Sequence, residues 1–187
     1  MLSFASALQP KKIVSTFASL GLMMVMTALL LLMTGCSSSS STAVTPEPVN
    51  PVVSALILLS PEAEVPPVDP TIPVTATGEA AVFLNTETGA LSISGEFAGL
   101  TSPLFDVGMV GPVHVHLASE MPFAQSTGGV DFIPAVTEAP NRLSASFVLS
   151  ETATEEQVAS FLAGAYYINV HTDINPPGEL RGQIVFP

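Results

Sequence analysis

Val74-Thr75-Ala76-Thr77-Gly78-Glu79-Ala80-Ala81-Val82-Phe83-Leu84, then Asn85-Thr86-Glu87-Thr88-Gly89, then Ala90-Leu91-Ser92-Ile93-Ser94-Gly95-Glu96-Phe97, is the stretch whose reading decides the fold. The first segment reads as a strand. The second reads as a hairpin loop with Gly89 at the left-handed position. In the third, Leu91, Ile93, the small Gly95 and Phe97 alternate with polar neighbours, the period of a half-buried strand. A β-hairpin with one apolar face needs further strands to cover that face.

The rest of the chain supplies them. Upstream, Val52 to Leu59 is an apolar run, and Pro61 to Pro73, rich in proline and acid, is loop. Downstream, Val113-His114-Val115-His116-Leu117 has period two. The segment Arg142 to Leu149 sets Leu143, Ala145, Phe147 and Leu149 on one face, and Ala165–Val170 and Leu180–Phe186 complete seven strands. One helix interrupts them. Thr154 followed by Gln157 fits a capping box, with Glu155 and Glu156 in the first turn. Val158, Phe161 and Leu162 form its apolar stripe, and Gly164 ends it. Short strands at turn-punctuated spacing predict an all-β domain, a β-sandwich or Greek-key barrel with one short helix.

The first 35 residues are set apart. Lys11 and Lys12 precede an apolar run from Ile13 to Met33, and Leu32-Met33-Thr34-Gly35-Cys36 closes it. A charged start, an apolar core and a small-residue cleavage zone are the parts of a secretory signal. The Cys after Thr34-Gly35 makes residues 1–35 resemble a bacterial lipoprotein signal, although Met33 stands where Leu is commoner, with Cys36 the lipidated residue. The rival reading is an uncleaved spanning helix, since about 20 apolar residues cross a bilayer. Both put the remainder outside the cytoplasm, in the cell envelope. Residues 36–52, with five serines in a row and then alternating Thr, Pro and Glu, form a Ser/Pro-rich tether. The Ser after Cys36 is compatible with the outer membrane where an organism has one. The folded domain is expected over residues 53–187. Cys36 is the only cysteine, so no disulfide framework holds that domain together.

Charge excludes one class of partner. From Cys36 onward, Arg142 and Arg181 face all 16 acids, a formal charge of −14. Such a surface repels phosphate backbones, so nucleic acid is not an expected partner. The membrane, through the lipid, and a protein or small ligand remain.

All three histidines fall on predicted strands. His114 and His116, two apart, emerge on one sheet face, and His171 ends the strand that starts at Tyr167. If the two strands are neighbours, three imidazoles converge. Three His ligands with an open position suit Zn or Cu. Asp173 or Glu179 would orient a ligand ring from behind. The alternative is structural, with each imidazole bonded to a carboxylate such as Asp106, Glu120 or Asp173.

The most specific stretch is His171-Thr172-Asp173-Ile174-Asn175-Pro176-Pro177-Gly178-Glu179-Leu180-Arg181-Gly182-Gln183-Ile184. Asn175 to Gly178 reads as a tight turn. Glu179 and Arg181 share a face opposite Leu180, and Arg181 is expected to fix the turn by hydrogen bonds.

Tyr167, Asn169, Val170, His171 and Thr172, then Gly178, Glu179, Arg181, Gly182 and Gln183, resemble the signature of the CHRD (chordin) domain. So do Glu64-Val65-Pro66-Pro67, Thr77-Gly78-Glu79-Ala80, Thr88-Gly89-Ala90-Leu91, the His114-Val115-His116 pair and Phe161-Leu162-Ala163-Gly164. The resemblance spans about Leu56 to Phe186. It departs after His116, where Ser119-Glu120-Met121-Pro122-Phe123 stands in place of a Gly/Ala-rich loop. It implies an immunoglobulin-like or superoxide-dismutase-like β-sandwich, of a kind found in chordin-type growth-factor antagonists and in exported bacterial proteins. A weaker similarity to copper–zinc superoxide dismutase rests on the His-Val-His strand. Three histidines cannot supply the ligands of that two-metal site.

No Gly-x-Ser-x-Gly, catalytic Cys or phosphate-binding Gly loop is present. The sequence therefore points to a non-catalytic, lipid-anchored envelope module that binds a protein or small ligand. The alternative is a mononuclear Cu or Zn protein using His114, His116 and His171.

Overall fold

The computed structural model describes residues Asn50 to Pro187. The leader, Cys36 and the tether up to residue 49 lie outside the described residues. The described residues form one compact unit, and its core residues all lie between Val53 and Phe186.

Nine strands make two antiparallel sheets. In the first, β1 (Val52–Leu59), β2 (Thr77–Asn85), β3 (Ala90–Ala98), β7 (Ser144–Thr152) and β6 (Ala135–Glu138) lie in the order β1-β2-β3-β7-β6. In the second, β4 (Val113–Ala118), β5 (Gly128–Phe132), β8 (Tyr166–Val170) and β9 (Leu180–Gln183) lie in the order β5-β4-β8-β9. The expected hairpin is β2–β3, with Leu84 opposite Leu91 and Gly89 at φ +73°. The chain crosses to the second sheet after β3 and returns as β6, and β7 then pairs with both β6 and β3. Likewise β8 returns beside β4, the long returns of Greek-key connections.

The all-β sandwich expected from the sequence is therefore present, with two more strands than anticipated. β5 and β6 are five and four residues long. Neither is long enough to show a period, and pairing with β4 and β7 holds them. Arg142 does not begin a strand. It sits at φ +57° between β6 and β7, ion-paired with Glu138 and with Asp106 at 3.0 Å. Helix α1 (Glu155–Leu162) has the predicted capping box at Thr154 and Gln157 and closes before Gly164. Its stripe is narrower than predicted: Val158 and Phe161 are buried, whereas Leu162 is half exposed at the end of so short a helix.

The core lies between the sheets. Ile57, Val82, Ile93 and Phe147 from the first sheet meet Val113, Val115, Ile168 and Val170 from the second. Each such side chain contributes about 1.5–3 kcal/mol on burial. The outer faces differ. Residues along β3 alternate buried and exposed, as a half-buried strand should. On β4 and β8 nearly every residue is buried on both faces. Polar side chains on the outer face of the second sheet are covered by the loops that join its strands, and that covered layer holds the histidines.

Candidate metal centre

Strand pairing brings the histidines together. β4 pairs with β8 with His114 opposite Asn169 and His116 opposite Tyr167. Val113 and Val115 point into the core, so His114 and His116 point outward, beside Tyr167 and Asn169. His171 follows β8 directly and continues the same alternation. One ring nitrogen from each of the three lies within 4.8 Å of the others, and all three rings are buried. Among the described residues no other group of His, Cys, Asp or Glu qualifies as a metal cage.

The carbonyl partners argue for which nitrogens are free. His114 Nε2 is 3.1 Å from the Val110 carbonyl, His116 Nδ1 is 3.1 Å from the Gly128 carbonyl, and His171 Nδ1 is 2.8 Å from the Pro176 carbonyl. A carbonyl only accepts, so each of these nitrogens carries the proton and donates it. The bare lone pairs are then on His114 Nδ1, His116 Nε2 and His171 Nε2. His114 Nδ1 and His171 Nε2 face each other at 3.0 Å. His116 Nε2 is buried with no partner. Burial holds all three imidazoles below their ordinary pKa, His171 down to about 4, against the opposing pull of their carbonyl partners. Neutral rings whose lone pairs converge repel one another unless a cation lies between them. Two nitrogens on a tetrahedral zinc, each about 2.05 Å from it, stand about 3.3 Å apart. The observed 3.0 Å is within a small adjustment of that.

The supporting layer is carbonyl, not carboxylate. Asp173 is exposed and touches no imidazole, and Asp106 is bonded to Arg142. Nor do Glu120 and Glu179 bond a ring. Glu179 instead accepts from Thr172 Oγ1, Asn175 Nδ2 and the Thr101 amide, which ties the Asn175–Gly178 turn to its own strand. The turn itself is closed by the Gly178 amide on the Asn175 carbonyl. Asn169 Nδ2 donates to Pro177 O.

Arg181 does not fix that turn, contrary to the sequence reading. Its guanidinium is fully buried and donates to the Phe123 and Ser126 carbonyls and to Gln183. It thereby fastens the loop between β4 and β5 over the sheet. The reason is register: Arg181 lies opposite Asn169, so its long side chain crosses the sheet face and leaves the turn behind. Its Cζ lies 3.6 Å from the centre of the Tyr167 ring, and the Tyr167 ring stacks on His116 at 4.9 Å with 5° between planes. Gly128 completes this clamp. Its amide donates to Tyr167 Oη while its carbonyl accepts from His116. A Cβ at Gly128 would stand 1.5 Å from the Leu117 carbonyl oxygen, so no other residue fits there. The sequence reading missed Val110, Gly128 and Pro176, because they act through backbone atoms. The Gly128-Gly129 pair was the one visible signal.

A family model described as the CHRD domain matches residues 56–184. The chain belongs to the CHRD domain family. No curated protein matches it. The matched span of this CHRD domain begins within β1 and ends just after β9, so it takes in both sheets and all three histidines.

Proposed function

We propose that this protein is a non-catalytic, envelope-displayed CHRD module that holds a single copper or zinc ion on His114 Nδ1, His116 Nε2 and His171 Nε2. The observation that carries the metal reading is the set of three buried imidazoles, each with its proton given to a backbone carbonyl and its lone pair left toward the others. Tautomers fixed from behind are the usual preparation of metal-ligating histidine. A structural role would join the rings by a proton donor; with each ring proton on a carbonyl, the 3.0 Å contact between His114 and His171 is left without one.

The display reading rests on the leader, on Cys36 as the acylated residue and on the tether that follows. The acidic surface supports capture of cations in general and disfavours nucleic acid.

The experiment is metal analysis of the chain from Pro46 to Pro187, purified without a tag and exposed to Cu and Zn. Near-stoichiometric metal, lost in the His114→Ala, His116→Ala double variant, is the expected result. A protein that takes up neither ion and shows no thermal shift with either sinks the reading.

A further inference from the structure

The geometry points to a site that selects a singly charged ion: copper(I) in preference to copper(II) and zinc(II). This inference rests on the metal reading above and asks which ion the surroundings favour.

Three features decide it. The first is ligand charge. All three donors are neutral imidazoles, and the groups behind them are the carbonyls of Val110, Gly128 and Pro176. Among the described residues no carboxylate bonds to His114 or His171, so nothing in direct contact offsets the ion's charge. The second is burial. The cost of bringing an ion out of water grows as the square of its charge, so a dication costs about four times what a monocation does. With His114 and His171 at 1% and 5% exposure, that difference is felt in full. The third is the neighbouring field. The Arg181 guanidinium lies 3.6 Å over the Tyr167 ring that stacks on His116, and the Asp131 carboxylate pulls on that imidazole in the opposite sense. A cation is thus built into the wall of the site. A site meant for zinc(II) or copper(II) gains from a carboxylate ligand or a carboxylate behind an imidazole, and this one has neither.

Coordination number agrees. Zinc(II) takes four donors and in an open His-ligated site completes its shell with water. Among the described residues no fourth His, Cys, Asp or Glu joins the three imidazoles, and Asn169 Oδ1 crowds the α-carbon of Gly178. Imidazole nitrogen suits both copper and zinc, so donor softness does not separate them. Charge does. The exposed acids elsewhere on the domain raise the local concentration of any cation, but salt screens them beyond about 8–10 Å.

The test uses the chain from Pro46 to Pro187 with copper(I), copper(II) and zinc(II) ions as probes. Copper(I) affinity is read under argon against bicinchoninate, and zinc(II) affinity against a chromogenic chelator. Copper(I) should be held more than about tenfold more tightly than zinc(II), about 1.4 kcal/mol. The bound copper couple should lie well positive of aqueous copper. Asp131 is exposed and only accepts a hydrogen bond from Tyr166 Oη, which an amide oxygen also accepts. Asp131→Asn should therefore keep the fold, lower zinc(II) affinity several-fold more than copper(I) affinity, and move the couple further positive. Zinc(II) or copper(II) held as tightly as copper(I) or more so overturns the selectivity while leaving a metal site. Binding of none of the three ions overturns the site itself and the selectivity with it.

Discussion

Glu64 is the residue whose chemistry is least explained by its sequence position. It follows a 3-10 turn, Pro61–Ala63, yet it is buried, and neither carboxylate oxygen has a partner. Burial pushes its pKa up to about 8, against the pull of Arg181. An acid whose folded pKa lies above its unfolded value binds an extra proton in the folded state, and the stability this gives is lost as pH rises from about 4.5 to about 8. His171 acts in the opposite sense. Its folded pKa of about 4 lies below the ordinary 6.5, so stability rises with pH between those values and levels off by about pH 7.5. His114 and His116, also held below 6.5, level off over the same range, so only the Glu64 decline remains between about pH 7.5 and 8.5, where it amounts to roughly 0.7 kcal/mol, half of about 1.4 kcal/mol per pH unit. Urea unfolding of the metal-free protein at the two pH values measures it. Glu64→Gln should flatten the slope, and an unchanged slope would place the titrating group elsewhere. Gly178 carries a second prediction. It stands at φ +147°, and a Cβ there would meet Asn169 Oδ1 at 2.4 Å and the two Glu64 oxygens at 2.5 and 2.6 Å. Gly178→Ala should cost about 3 kcal/mol, backbone strain and overpacking together, and lower the urea midpoint accordingly.

At the scale of the element, local signals were strong where one segment satisfies its own bonds. Helix α1 is legible because Thr154 Oγ1 accepts from the Gln157 amide and Gln157 Oε1 accepts from the Thr154 amide. Thr154→Ala should cost about 1 kcal/mol, read as a lower urea midpoint with an unchanged slope. The β2–β3 hairpin is legible for the same reason, since alternation and Gly89 act within 21 residues, Thr77 to Phe97. β5 and β6 are not, because their neighbours supply the bonds that make them strands. Arg142 read as strand because Leu143 follows it in phase, whereas its ion pairs with Glu138 and Asp106 hold it in a turn.

For the whole molecule, the −14 charge from Cys36 onward and the leader before it are what the proposed display at a membrane rests on. Cys36→Ser removes the thiol proposed to carry the lipid, while an uncleaved apolar leader is long enough to hold the chain in a bilayer. Expressed in a bacterium, the variant should lose incorporation of labelled palmitate and retain its leader, seen as a larger mass. Retention of the label in the variant would refute acylation at that residue.

The sequence by itself determined the class of fold, the helix and its cap, the loop chemistry at Gly89 and Gly178, and the three histidines as the residues of interest. These follow from period, propensity and residue type, which act over a few positions. Tertiary structure alone decided that the imidazoles meet, which nitrogen of each is bare, and that Arg181 braces a distant loop. Those outcomes depend on which strand lies beside which, and on backbone carbonyls that every residue carries and no sequence distinguishes.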